Sequence, residues 1–146
     1  MNKKTPGLLS PAIGALVLAA ALASACSSVS LAQTPSQTLT GAQEVPPVTT
    51  AATGKGDIAI AADGSVTGQV TTTNLDGTMA HIHIAPAGVN GPVIIPLTKT
   101  AEGTWSVPPG AKLTPEQLTA FKAGGLYVNV HSAANKGGEI RAQLKP

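Results

Sequence analysis

The chain has 146 residues, of which 42% are hydrophobic, 11% are charged and 2% are aromatic. This length suits one domain of ordinary size and is too short for two. The formal net charge is only +2 and no basic run occurs, so the chain lacks the electrostatic surface that nucleic-acid-binding proteins use, and we expect no nucleic-acid partner.

Residues 1–32 have the pattern of a signal peptide or a lipoprotein signal. Lys3 and Lys4 precede an apolar run over about 13–23, and small residues suited to cleavage follow. This run is short for a membrane-spanning helix, which needs roughly 20 apolar residues. We therefore expect an exported protein, either in the cell envelope, as a periplasmic or membrane-anchored protein, or secreted.

The signal contains two alternative cleavage sites. Residues 22–26 resemble an imperfect bacterial lipobox, and residues 30–32 offer an A-x-A-like site. Cys26 is the only cysteine, so it forms no internal disulfide and is either the lipidated residue or part of a discarded peptide. Membrane contact is expected only through such a lipid anchor.

Short segments with a period of two follow a polar stretch over 27–38, which we interpret as a flexible tether to a domain over 39–146. Asp-Gly and Gly-rich turns separate the segments. They are DIAIAA (57–62), SVTGQVTTT (65–73), MAHIHIA (79–85), VIIPL (93–97), TWSV (104–107), LYVNVHS (126–132) and EIRAQL (139–144). The pattern predicts an all-β fold, an antiparallel β-sandwich or Greek-key-like barrel of roughly seven or eight short strands.

One short crossover helix is predicted between the last strands. Thr114 and Gln117 can form a capping box around a proline at the first helical position, and Gly124 supplies the stop. Leu118 and Phe121 form the apolar side of this helix, which we expect to cover an edge of the sandwich.

Two histidines lie at alternate positions of the segment AHIHIA. Side chains alternate between the faces of a strand, so His81 and His83 share one face while Ile82 and Ile84 share the other. The isoleucines are expected in the core and the histidines on the outer face.

The segment LYVNVHS repeats this arrangement, with Tyr127, Asn129 and His131 on its outer face. His81, His83 and His131 are the only three histidines in the chain. If the two strands are neighbours, three imidazoles can bind one metal ion at about 2 Å each. A site made only of nitrogen ligands suits Cu(II), or Zn(II) with an open position, better than calcium or magnesium.

The histidines also have a plainer interpretation as solvated side chains on a strand face. Glu139 and Arg141 share a face of EIRAQL and are either an ion pair on an edge strand or partners of the histidine rings. Asn129 and Tyr127 are further candidates for supporting the rings.

Catalysis has little support in the sequence, and we expect no enzyme. His131 and Ser132 are consecutive, so on a strand they face opposite ways, and the histidine cannot act as a general base for the serine hydroxyl. No G-x-S-x-G motif occurs, and carboxylates such as Glu44 and Glu102 are scattered.

Three blocks resemble the CHRD (chordin-domain) family in order and spacing: LTGAQEVPPVTTAATG, AHIHIAPAGVNGPV and GGLYVNVHSAANKGGEIRAQL. The resemblance runs from about Leu39 to Leu144. It implies an all-β sandwich outside the cytoplasm and little about chemistry, because a fold does not supply a function.

A looser similarity concerns the Cu/Zn superoxide dismutases, which carry copper on a His-x-His strand and a histidine of a later strand. His81, His83 and His131 fit that ligand pattern, but the zinc-binding loop, the bridging histidine and the disulfide are missing. The resemblance implies copper binding, with zinc as the alternative, rather than dismutase activity. The rival hypothesis is a structural or protein-interaction module of the cell envelope, with envelope proteins as partners and incidental histidines.

Overall fold

The structure of the protein is a computed structural model that describes residues 1–2 and 35–146. Residues 3–34 lie outside the described residues. They include most of the predicted signal, Cys26 and most of the tether, so these assignments stay predictions.

The described part contains nine strands, a short 3-10 turn and one α-helix, which confirms the predicted all-β fold. The strands are β1 (Gln37–Thr40), β2 (Thr53–Ile60), β3 (Val66–Thr73), β4 (Gly77–Ile84), β5 (Val93–Pro96), β6 (Thr98–Ala101), β7 (Thr104–Ser106), β8 (Leu126–Ser132) and β9 (Ile140–Gln143), with the 3-10 turn at Gly41–Gln43 and α1 at Pro115–Lys122.

The sequence indicated seven or eight strands, and β1 and β6 account for the difference. All four residues of β6 are exposed, so its sequence TKTA has no apolar alternation to reveal it. β1 begins at Gln37, inside the polar stretch that the sequence analysis assigned to the tether, and its Leu39 is fully buried.

The nine strands form one antiparallel sheet in the order β5-β4-β8-β9-β1-β2-β3-β7-β6. This sheet curls into a nearly closed barrel. The two ends of the sheet, β5 and β6, are separated in the chain by Leu97 alone, so the chain itself brings them together.

Aliphatic side chains fill the barrel, as the scarcity of aromatic residues predicts. Ile82, Val128 and Val130 are completely buried, and Val70 joins them from the opposite wall. Burying a side chain of this size stabilises the fold by roughly 1.5–3 kcal/mol, so these alternating positions determine which face of each strand turns inward.

The helix α1 forms where the capping box predicted it. The N–H of Gln117 donates to the Thr114 hydroxyl at 3.2 Å, and the Gln117 side chain accepts from the Thr114 N–H at 2.9 Å. Phe121 anchors the helix on the core and is 5% exposed. In the described part of the chain, no helix is long and apolar enough to cross a membrane.

The face of β8 that points away from the barrel is also buried, because loops cover it. Tyr127, Asn129 and His131 are only 2%, 1% and 6% exposed. The guanidinium of Arg141 on β9 lies 3.5 Å from the centre of the Tyr127 ring. The outer face of β8 and β9 is therefore a covered polar layer, whereas the outer face of β4 stays partly open at His81.

Arg141 holds one of the covering loops in place. Its guanidinium donates to the carbonyls of Val89 and Pro86 at 3.0 and 3.2 Å, and to the side chain of Asn90 at 3.4 Å. The Asn90 amide in turn donates to the carbonyl of Val45 at 2.6 Å. The loop over 85–92 is thereby tied both to the sheet and to the segment that follows the 3-10 turn.

Candidate metal centre

The pairing of β4 with β8 brings the three histidines together. His81 lies opposite Asn129, His83 opposite Tyr127, and Met79 opposite His131. Side chains of directly opposite residues share a face, with Cβ atoms about 4.5–5.5 Å apart. The convergence that the sequence left conditional on neighbouring strands is therefore present in the fold.

The three rings approach each other at the distances of potential metal ligands. His81 Nδ1 lies 3.0 Å from His131 Nε2, and one ligand nitrogen from each of the three residues lies within 4.8 Å of the others. Two nitrogens bound to one ion at about 2.0–2.1 Å can be at most about 4.2 Å apart. The widest gap must therefore close by at least about 0.6 Å, and by roughly 1.4 Å for the tetrahedral geometry that zinc prefers.

Backbone carbonyls set the orientation of two rings. His83 Nδ1 is 2.9 Å from the carbonyl of Gly91, and His131 Nδ1 is 2.8 Å from the carbonyl of Lys136. A carbonyl can only accept, so each Nδ1 carries the proton and each Nε2 keeps its lone pair. This is the arrangement that metal-binding histidines ordinarily have, with the second ring nitrogen donating to an outer acceptor.

The third ring completes the hydrogen bonding of the metal-free site. Since His131 Nε2 holds a lone pair, the 3.0 Å contact requires His81 Nδ1 to donate its proton there. A metal ion between the two nitrogens would replace that proton, and the His81 ring would carry its proton on Nε2 instead.

His83 has a buried ring nitrogen without a partner. It is 7% exposed, and among the described residues its Nε2 makes no hydrogen bond. The ring stacks on Tyr127 with centroids 4.6 Å apart and planes within 6°. An unpartnered buried acceptor is costly, and a bound cation would satisfy it.

Burial keeps His81 and His83 neutral. The pKa of His81 is lowered from 6.5 to about 4, first by burial and then by the like charges of His131 and His83. The pKa of His83 is also lowered, mainly by burial, although the hydrogen bond to Gly91 acts in the opposite direction. Neutral imidazole is the form that binds metals, so protons compete with a metal ion at His81 only well below the ordinary histidine pKa of 6.5.

Four residues were candidates for supporting the histidine rings. Three of them lie around the site, and the fourth, Glu139, does not. Tyr127 stacks on His83, and the side chain of Asn129 adjoins that ring and raises its pKa. Arg141 acts through Tyr127 and the loop over 85–92. Glu139 is not a ring partner: its carboxylate accepts from Ser132 and, at 2.7 Å, from Thr50.

Glu139 and Arg141 also form no ion pair in the described structure. Glu139 precedes β9, which begins at Ile140, whereas Arg141 lies on the strand. The Glu139 carboxylate accepts hydrogen bonds from two hydroxyl groups instead. Burial alone would raise the pKa of Glu139, but the hydrogen bonds from Ser132 and Thr50 more than offset it and the net pKa is lowered. Glu139 thus stays charged while holding two loop ends together.

Sequence reasoning missed Glu44, which reaches the same covered layer. It is 4% exposed, and among the described residues its Oε1 has no hydrogen-bond partner. Burial raises its pKa, while the Asn129 side chain and the charge of Arg141 lower it to a lesser extent. Gly138, with a φ of +131°, leaves room for these groups, because a Cβ there would collide with both Glu44 and Asn129.

The chain belongs to the CHRD domain family, since the model of that family matches residues 36–144. This match confirms the resemblance carried by the three sequence blocks. No curated protein and no solved structure matches the chain.

The lowered pKa of His81 predicts how the metal-free protein responds to acid. Between pH 6.5 and about 4, the unfolded chain binds a proton at His81 and the folded protein does not. The free energy of unfolding therefore decreases as the pH falls through this interval. We expect His81→Gln to flatten the dependence of the unfolding midpoint on pH between 7 and 4.5, measured by thermal melts. If the unfolding midpoint fell equally with pH in the wild type and the variant, the lowered pKa of His81 would be contradicted.

Proposed function

We propose that this CHRD domain is an exported, non-catalytic protein that binds one transition-metal ion through His81, His83 and His131, with copper as the preferred metal and zinc as the alternative. The observation that carries the proposal is the triad itself: one ligand nitrogen of each ring lies within 4.8 Å of the others. The buried, unpartnered Nε2 of His83 supports it.

The donor set favours a transition metal over calcium or magnesium. The described ligand group contains three imidazoles and no carboxylate. Calcium and magnesium require oxygen ligands, whereas neutral imidazole suits copper and zinc. His81 is partly exposed while His83 and His131 are buried, so an ion can enter from the His81 side.

Binding without turnover is supported by the surroundings of the Ser132 hydroxyl, which follows His131 in the chain. The Ser132 hydroxyl donates to Glu139, and His131 Nδ1 bonds to the carbonyl of Lys136 instead of to Ser132. The described contacts therefore provide no activated nucleophile beside the triad.

The rival proposal is an interaction module of the cell envelope in which the histidines only brace loops. The observation in its favour is that hydrogen bonds join the rings of His83 and His131 to the carbonyls of Gly91 and Lys136, and His81 to His131. Metal uptake separates the two proposals, because a bracing role needs no metal.

Metal titration tests the triad. We expect protein produced from the full-length chain to bind Cu(II) and Zn(II) with a stoichiometry of about one. Free metal at a hundred times the dissociation constant should stabilise the fold by roughly 2.7 kcal/mol, because it binds the folded state alone. The triple alanine variant of His81, His83 and His131 should lose both effects, measured by isothermal and scanning calorimetry.

Glu116→Ala is the matched control, since Glu116 is exposed on α1 and touches no histidine. This variant should take up metal as the wild type does. Equal uptake by the wild type and the triple variant, with neither melting curve shifted, would remove the metal proposal and leave the interaction module.

Export is tested by the mass of the mature protein. A signal that is cleaved should leave a protein that lacks the first 25 to 32 residues, as the two cleavage sites predict. Mass spectrometry of the envelope fraction should show either a diacylglyceryl group on an N-terminal Cys26 or a shorter chain that begins beyond it. Full-length protein in the cytosol would contradict export.

A further inference from the structure

The only methionine besides Met1 lies beside the histidine triad. Met79 is on β4, two residues before His81, and His131 is its partner across the pairing with β8. The irregularity in this pairing falls between Gly77 and Met79, so the register from Met79 to Ile84 is continuous. Directly opposite residues have Cβ atoms about 4.5–5.5 Å apart, which places the thioether within one side-chain length of the His131 ring.

The neighbours of Met79 show which face it occupies. Ala80 and Val130 form the next pair along the strands and are 1% and 0% exposed, so they belong to the core face. Strand residues alternate, which places Met79 on the opposite face with His81 and His83. Met79 is 48% exposed, so core packing does not hold its side chain.

We propose that Met79 is a fourth ligand of the site and gives it a preference for Cu(I) over Zn(II). This inference rests on the proposed function, because it adds a donor to the three histidines. Single exposed apolar residues are common and need no explanation. The position of a sulfur donor opposite His131, at the open side of a triad with an unpartnered buried nitrogen, is what distinguishes Met79.

The chemistry of the thioether determines the direction of the preference. It is an uncharged, soft and polarizable donor; soft sulfur ligands suit Cu(I), zinc and iron–sulfur clusters, and Cu(I) is a softer ion than Zn(II). Zinc sites in proteins use thiolate, imidazole and carboxylate ligands. A thioether should therefore add much to the binding of Cu(I) and little to that of Zn(II).

Met79→Leu removes the sulfur and keeps the size of the side chain. Groups that merely support a metal ligand are typically worth about 10–100-fold in affinity, so a direct ligand should be worth at least as much. We expect Met79→Leu to weaken Cu(I) binding by at least about tenfold, or about 1.4 kcal/mol, and Zn(II) binding by less than about twofold. Anaerobic competition with chromophoric chelators measures both affinities in protein produced from the full-length chain.

Val93→Ala is the matched control. Val93 is also 48% exposed and lies opposite His83 across the pairing of β4 with β5, but it has no donor atom. Its substitution should leave both affinities unchanged. X-ray absorption at the copper edge should show a sulfur neighbour in the wild type and in Val93→Ala, and none in Met79→Leu.

Three results would overturn the assignment of Met79. Unchanged Cu(I) affinity in Met79→Leu, without a sulfur neighbour in the wild type, would refute it and leave the three-histidine site standing. Equal weakening of Cu(I) and Zn(II) binding would show that Met79 acts by packing. Failure of the wild type to bind either metal would overturn both this inference and the proposed function.

Discussion

The antiparallel pairing of β4 with β8 is the constraint on which the rest of the site depends. It places Ala80 and Ile82 against Val130 and Val128 in the core, and all four are at most 1% exposed. A slip of one residue would turn these side chains outward and bring the histidines inward, which the buried apolar area forbids. The hydrophobic core therefore holds the three imidazoles on one face without any ligand.

Loops then convert that face into a confined site. The loop over 85–92 supplies the Gly91 carbonyl that orients His83, and the connection between β8 and β9 supplies the Lys136 carbonyl that orients His131. Arg141 fastens the first of these loops and lies over Tyr127, on which His83 stacks. Burial lowers the pKa of His81 to about 4 and also lowers the pKa of His83, so these two rings are neutral and can bind a cation at physiological pH.

Sequence periodicity predicted the faces of the strands, because alternation of side chains is a local property. The alternation is clear in AHIHIA and LYVNVHS, and the capping box of α1 could likewise be recognised from the sequence. Periodicity does not identify the neighbour of a strand, and β4 and β8 are far apart in the chain. The sequence therefore left the convergence of His131 with His81 and His83 conditional.

Other features were hidden for different reasons. β6 is exposed on both faces, so its sequence has no alternation of apolar and polar residues. Loops cover the face that carries the histidines, and the position of the loop over 85–92 depends on hydrogen bonds from Arg141. Glu139 was expected either to form an ion pair with Arg141 or to support a histidine ring, because the two residues share a face in an ideal strand. It precedes β9 instead and binds two hydroxyl groups, which only the tertiary structure reveals.

Whether the three imidazoles hold one ion can be seen by crystal diffraction from the copper-loaded protein, with anomalous scattering at the copper edge to locate the metal. We expect one copper peak about 2.0–2.1 Å from a ring nitrogen of each of His81, His83 and His131, with the widest nitrogen separation reduced below about 4.2 Å. A copper peak elsewhere, with His81 Nδ1 still 3.0 Å from His131 Nε2 and no density between the rings, would contradict it.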